Sequence, residues 1–201
     1  MPLEELTLEV VAAPLPDRAR ALIVDGEQRI AELGRVLPGF VPSDHALVFE
    51  ALRVLRAGSW LTGDRFCEWG SGLGIVAGLA AMVGYESYAI EIEEELVDEG
   101  ERLSEDFGLE VVHAAGTFVP PGSDDLLAGT GDELEWLRAG GNDGYELVDR
   151  DPDEFDLIFA YPWPGEEHII LSLFERHAGR GSVLLSYHGM EGVRAHRAAS
   201  S

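Results

Sequence analysis

The chain has 201 residues, 46% of them hydrophobic, enough for one domain with a full core. Its formal net charge is −24, and all 14 basic residues are arginines. A field of that sign opposes a nucleic-acid substrate, because such binding rests on cationic contacts to phosphate. No run of 18 apolar residues is present and the N-terminus lacks a basic start before an apolar stretch, so a cytoplasmic protein without a membrane span is expected. The single cysteine, Cys67, excludes an intrachain disulfide, and six scattered histidines give no metal-ligand spacing.

Residues 1–16 alternate apolar and polar from Leu6 to Val10 before Pro14 and Pro16, and read either as a short strand or as a loose arm. Asp17 is placed to cap a helix over 18–37 whose apolar face is Leu22, Ile23, Ile30, Leu33 and Leu37. A second helix over 45–57, capped by Ser43 or Asp44, turns Leu47, Val48, Ala51, Leu52 and Leu55 inward. These elements form an N-terminal helical cap over 1–60, ahead of a core over 61–190.

The core opens on Arg65-Phe66-Cys67-Glu68-Trp69-Gly70-Ser71-Gly72-Leu73-Gly74: an apolar strand, a carboxylate near its end, and three alternating glycines. An apolar helix follows at once and stops at Gly84. Strand, glycine turn and helix together present backbone N–H groups to a nucleotide-like ligand, and glycine permits both the unusual φ and the close approach. The second strand, 86–92, carries Glu91, 17 residues beyond Gly74, where a carboxylate can accept hydrogen bonds from a ribose diol. A helix over 93–107 buries Leu96, Val97, Leu103 and Phe107, and its other face is a run of solvated acids. The third strand is read as 109–113, ending in Ala114-Ala115-Gly116-Thr117-Phe118.

Residues 120–154 are an acidic insertion: 12 acids against two arginines lie between 123 and 156, so this stretch is expected in water, as a surface excursion or a lid. A short helix is read over 132–138. The fourth strand, 155–160, leads into Tyr161-Pro162-Trp163-Pro164-Gly165-Glu166-Glu167 and a helix over 166–178. The fifth, 182–187, leads into His188-Gly189.

The glycine segment and the second strand resemble the class I S-adenosylmethionine-dependent methyltransferases. Their first motif, acid-x-Gly-x-Gly-x-Gly, is met by Glu68, Gly70, Gly72 and Gly74. Their second, an acid closing strand two, is met by Glu91. The resemblance covers roughly 40–190 and implies an α/β, Rossmann-like three-layer sandwich. Its mostly parallel sheet should have the order 3-2-1-4-5, truncated after strand five for want of residues to build both later strands. It implies S-adenosylmethionine as cofactor, held by Glu68, Gly70, Ser71, Gly72, Gly74 and Glu91, with Thr117 where the family often has an adenine-binding acid and Phe118 available to stack. Phe40 and Ser43 are further possible contacts. Tyr161, Trp163, Glu166 and His188 are expected to line an acceptor pocket, and Glu166, Glu167, His168 and His188 are candidate bases. Ala160-Tyr161-Pro162-Trp163 matches the amine-methyltransferase motif only in Pro162-Trp163, so that chemistry is not carried over. A small-molecule acceptor is preferred to protein, and protein to nucleic acid. Two alternatives stay open: a cofactor-binding protein without methylation activity, and a nicotinamide-binding domain, since Gly72-Leu73-Gly74-Ile75-Val76-Ala77 also fits Gly-x-Gly-x-x-Ala.

Overall fold

The structure, a computed structural model, describes residues 2–33, 44–127, 140–163 and 165–199. Its elements are β1 (Leu3–Leu6), α1 (Asp17–Glu32), α2 (His45–Ala57), β2 (Arg65–Trp69), α3 (Ile75–Val83), β3 (Glu86–Glu91), α4 (Glu94–Asp106) and β4 (Val111–Ala115). They continue with α5 (Asp124–Leu127), α6 (Gly144–Leu147), β5 (Leu157–Ala160), α7 (Glu167–His177), β6 (Val183–Tyr187) and β7 (Val193–Ala198).

All seven strands join one sheet of order β1-β7-β6-β5-β2-β3-β4. The strands β4, β3, β2, β5 and β6 run parallel, and β7 is antiparallel to both β6 and β1. These five parallel strands stand in the order 3-2-1-4-5, but the sheet is not truncated after the fifth. Val193–Ala198 adds a sixth strand, and the N-terminal strand takes the edge beyond it. The sequence Val-Arg-Ala-His-Arg-Ala hides its strand character because its inward residues, Ala195 and Ala198, are small and polar residues stand between them. The N-terminal strand also lies earlier than the alternation over Leu6–Val10 suggested.

The sheet separates two packed faces. On one, Phe66, Leu157, Phe159 and Leu185 meet α1, α2 and α3 through Leu22, Leu52, Leu55, Val76 and Leu79. On the other, Cys67, Ile158 and Leu184 meet α7 through Ile170, Leu173 and Phe174. Alternate residues of β2 feed opposite faces, as the two-residue period of a strand requires. Cys67 is fully buried, and burial pushes its thiol well above the ordinary range, which suits an inert core group.

Local boundaries differ from expectation for identifiable reasons. Asp17 does not cap α1: Pro16 holds the N-cap position without a side-chain hydrogen bond, and Asp17 pairs with Arg20 at 3.1 Å. Asp44 does cap α2, accepting from Leu47 N at 3.1 Å. The third parallel strand starts at Val111 because Gly108, at φ 55°, and Leu109 finish α4, with Leu109 N donating to Ser104 O at 2.9 Å. Leu37, Phe40, Ser43 and the helix expected over 132–138 lie outside the described residues.

The acidic insertion is not wholly an excursion into water. Thr117 and Asp143 form a parallel bridge, and Tyr145 and Val148 are buried in the core beside α7. Gly144 lets this return segment close on β3, because a Cβ there would stand 2.4 Å from Ile90 Cγ2. At the opposite end, α5 is tied to α7 by the Asp125–Arg176 pair and by the contact of Ser123 Oγ with His177 Nε2 at 2.8 Å.

Candidate cofactor and acceptor site

Three left-handed glycines build the bend that follows β2: Gly70 (φ 66°), Gly72 (φ 56°) and Gly74 (φ 68°). The bend is hooked to the neighbouring strand, because Gly70 N and Ser71 N both donate to Ile90 O, at 3.0 and 3.1 Å. Gly74 N closes the turn on Ser71 O at 2.8 Å, and Gly74 itself occupies the N-cap position of α3.

A glycine cap offers no side-chain acceptor to the first turn of a helix. Glu68 supplies one: its Oε2 accepts from Ala77 N at 2.8 Å. Burial raises the Glu68 carboxyl to about 8; the Ala77 bond opposes the shift and the nearby Glu91 charge adds to it. The pH consequence follows from the sign. The folded chain binds the Glu68 proton more tightly than the unfolded chain does, so this group's contribution to stability declines as pH rises from about 4.5 through about 8. Glu68→Gln, which keeps an acceptor for Ala77 N, should flatten the fall of melting temperature between pH 5 and 8. An unchanged profile would refute this account.

The Glu91 carboxylate lies at the bend. Oε2 accepts from Gly72 N at 2.8 Å, and Oε1 accepts from Ile92 N at 2.8 Å and Glu93 N at 3.1 Å. A carboxylate offers about four lone-pair sites, so these bonds orient the group and leave acceptor capacity. Ser71 is buried, and its hydroxyl has no hydrogen-bond partner among the described residues. Phe118 stacks on Trp69, with ring centroids 5.3 Å apart and planes 11° apart, and its Cε1 lies 3.6 Å from where a Cβ on Gly70 would stand.

Thr117 uses its backbone N–H and carbonyl to hold Asn142 and Gly144, and its Oγ1 accepts from Val119 N at 3.1 Å. Beside it a cavity of about 280 Å³ is lined by Val119, Pro120, Gly141, Asp124 and Asp143 among others. Sequence reading passed over Asp143 and Tyr145. The first caps α6 at Tyr145 N, at 2.9 Å, and the second fixes Phe118 by donating from its hydroxyl to Phe118 O at 2.8 Å. The only signal for them was the turn chemistry of Gly141-Asn142-Asp143-Gly144.

The remaining candidates stand at the ends of β5 and β6. Ala160 pairs with both Trp69 and Ser186, so Gly70, Tyr161 and Tyr187 each follow paired residues of adjacent strands. With strands about 4.8 Å apart, the end of β6 is about 10 Å from the glycine bend. Tyr161 meets Tyr187 edge-on at 4.9 Å. Trp163 O accepts from Glu166 N at 2.9 Å, and Glu166 is buried. His188 Nε2 contacts Ser186 Oγ at 2.8 Å. Burial, followed by the charge of Arg194, lowers the His188 pKa, so its imidazole is neutral at neutral pH. The structure thus gathers Glu68, Gly70, Ser71, Gly72, Gly74, Glu91 and Phe118 about one bend, with Thr117 at the adjoining cavity. Tyr161, Trp163, Glu166 and His188 lie along the strand ends beside it. Glu167 opens α7, and His168 is exposed on it.

Solved structures share this fold. The chain is similar to a methyltransferase from Geobacter sulfurreducens, with a TM-score of 0.57, 14% identity and 92% of each chain covered. It is similar to an RNA methyltransferase from Salinibacter ruber solved with S-adenosyl-L-homocysteine, with a TM-score of 0.53, 16% identity, and 80% of this chain and 95% of that one covered. A third likeness is to an O-methyltransferase from Bacillus cereus, also in complex with S-adenosyl-L-homocysteine, with a TM-score of 0.52, 15% identity, and 88% and 68% covered. The chain has the class I S-adenosylmethionine-dependent methyltransferase fold. No protein-family model matches it, and no curated protein is similar to it in sequence. In this methyltransferase fold the glycine bend and the β5 end flank the crevice at the carboxyl ends of the strands, where open α/β sheets bind ligands. No helix among the described residues is long and apolar enough to cross a membrane.

Proposed function

We propose that the chain binds S-adenosylmethionine and transfers its methyl group to an acceptor, a small molecule in preference to protein. The observation that carries this reading is the Glu91 carboxylate held at a bend of three left-handed glycines. The residues present fit the cofactor: the buried Ser71 hydroxyl lacks a partner among the described residues, and the turn at Gly70 leaves room that a side chain would fill. Gly70, Ser71, Gly72 and Gly74 would wrap the methionine and ribose portion, with Glu68 beneath. Glu91 would accept from a ribose hydroxyl at its remaining lone-pair site. Phe118 and the cavity beside Thr117 would take the base, with Asp143 supplying the carboxylate that Thr117 lacks.

When bound, the cofactor supplies an electrophilic methyl on a sulfonium. The protein's task is then to hold an acceptor in line and exclude water. Tyr161 and Trp163 would line that space. A neutral His188, held by Ser186, can take a proton from an acceptor hydroxyl or ammonium. The net charge of −24 argues against a polyanionic acceptor. The bend begins at Gly70, directly after the last residue of β2, which favours the methyltransferase frame over the nicotinamide one.

Calorimetry tests the reading. S-adenosylmethionine and S-adenosylhomocysteine should bind and NAD should not; binding of NAD alone would overturn it. With an acceptor found from a metabolite panel, Tyr161→Ala combined with Trp163→Ala should lower turnover about 100-fold while S-adenosylhomocysteine affinity stays within about threefold. Unchanged turnover would remove both residues from the site. A second reading, cofactor binding without methylation, is favoured by one observation: Ala160 and Tyr161 stand where the amine-methyltransferase motif has Asp or Asn and proline. Binding without turnover against any acceptor class would support it.

A further inference from the structure

His113, on β4, sits directly behind the glycine bend. Its Cε1 lies 2.8 Å, and its Nδ1 3.4 Å, from the position a Cβ would take on Gly74. The same two atoms lie 2.9 and 3.0 Å from the Cβ position of Gly100, in α4. Leu73 O is 2.8 Å from that Gly100 position, so only a residue without a side chain lets α4 pass beside the carbonyl that precedes Gly74. The ring is therefore clamped between two residues that have no side chain. Its far nitrogen is fixed as well: Nε2 contacts Ser104 Oγ at 2.9 Å, and Ser104, one helical turn after Gly100, is buried.

Nδ1 is buried and has no hydrogen-bond partner among the described residues. An unsatisfied buried nitrogen is costly, and an apolar side chain could fill the same space without it. Nδ1 and Leu73 O each lie within 3.0 Å of one point, the Gly100 Cβ position, so they are less than about 6 Å apart. When Ser104 donates to Nε2, the ring proton sits on Nδ1, on the side that faces Gly100.

We propose that His113 is a positioning residue for the bend: held by Ser104, its ring fixes Gly74 and the Leu73 carbonyl in the shape that receives the cofactor. The proposal rests on reading that bend as the cofactor site. It assigns His113 no contact with the cofactor or the acceptor.

The test uses the full chain with His113→Ala, which removes the wedge, and Ser104→Ala, which frees the ring without opening a large cavity. Amide hydrogen exchange is first measured without ligand. In both variants Gly72, Leu73 and Gly74 should exchange faster, while β5 and β6 keep their protection. S-adenosylhomocysteine should then bind about tenfold more weakly to His113→Ala and about threefold more weakly to Ser104→Ala. Once an acceptor is known, the KM for cofactor should rise while kcat holds, a split that simple loss of folded protein would not produce. If His113→Ala fails to fold, Ser104→Ala decides. Exchange at 72–74 unchanged in each variant that folds would overturn the proposal. Should the wild-type chain bind no S-adenosylhomocysteine, the functional reading fails, and the ligand-free exchange still decides whether His113 holds the bend.

Discussion

Glu91→Ala should weaken S-adenosylhomocysteine binding by about 10²- to 10³-fold. One ribose hydroxyl would donate to the lone-pair site that the three backbone bonds leave on Glu91; a hydrogen bond to a charged group contributes about 1.5–3 kcal/mol, and the loss of the bend's shape adds about 1 kcal/mol more. The variant also releases Gly72 N–H, Ile92 N–H and Glu93 N–H from their acceptor, so the bend loses its preformed shape. A thermal readout separates the two effects. At 100 times its dissociation constant a ligand stabilises the folded state by about 2.7 kcal/mol. Wild-type protein should gain that amount at such a concentration of S-adenosylhomocysteine, and Glu91→Ala should gain almost none. Glu91→Gln should fall between, because its amide must turn an N–H₂ towards one of those backbone donors. A dissociation constant for Glu91→Ala within threefold of wild type would remove Glu91 from the ribose site.

Gly74→Ala is expected to destabilise the chain through both backbone strain and crowding. An alanine held at φ 68° costs about 1–2 kcal/mol in backbone strain alone. Its Cβ would then stand 2.8 Å from His113 Cε1, in a ring that Gly100 and Ser104 prevent from retreating. A total of about 3 kcal/mol follows, or about 6–12 °C in melting temperature for a chain of this size. Gly84→Ala is the control. Gly84 also has positive φ, 101°, but a Cβ there meets nothing within 4 Å, so only backbone strain is added. Equal losses for the two substitutions would mean that the crowding at Gly74 is relieved by movement.

The parts of this site that sequence reveals are those set by short-range geometry. Alternating glycines after an apolar strand must turn, and a carboxylate closing the next parallel strand must arrive beside that turn, so Glu68, Gly70, Gly72, Gly74 and Glu91 could be named together. Cys67 was legible as core because a lone cysteine inside a strand, between Phe66 and Trp69, is most often a buried thiol. Parts set by distant contacts were not legible. Val193–Ala198 carries two arginines and a histidine, and only pairing with β6 and β1 makes it a strand. The acidity of residues 123–156 masked Tyr145 and Val148, whose burial depends on Gly144 meeting Ile90. His113 was read as the end of a strand. Its position behind Gly74 depends on a two-residue shift in where β4 begins, set by the closure of α4 at Gly108 and Leu109.

The pairing of β1 with β7 has a consequence for how the molecule comes into being. Leu3 faces Ala198 and Leu6 faces Ala195, so one seam of the sheet joins segments synthesised nearly the whole chain apart. That seam must wait until residue 198 clears the ribosome, whereas the pairing of β2 with β3 can form far earlier. Until then β6 offers an open margin, and an artificial chain in which residue 199 is spliced to residue 2, whose backbones already meet at 3.0 Å, could be reopened in a surface loop elsewhere without breaking the sheet.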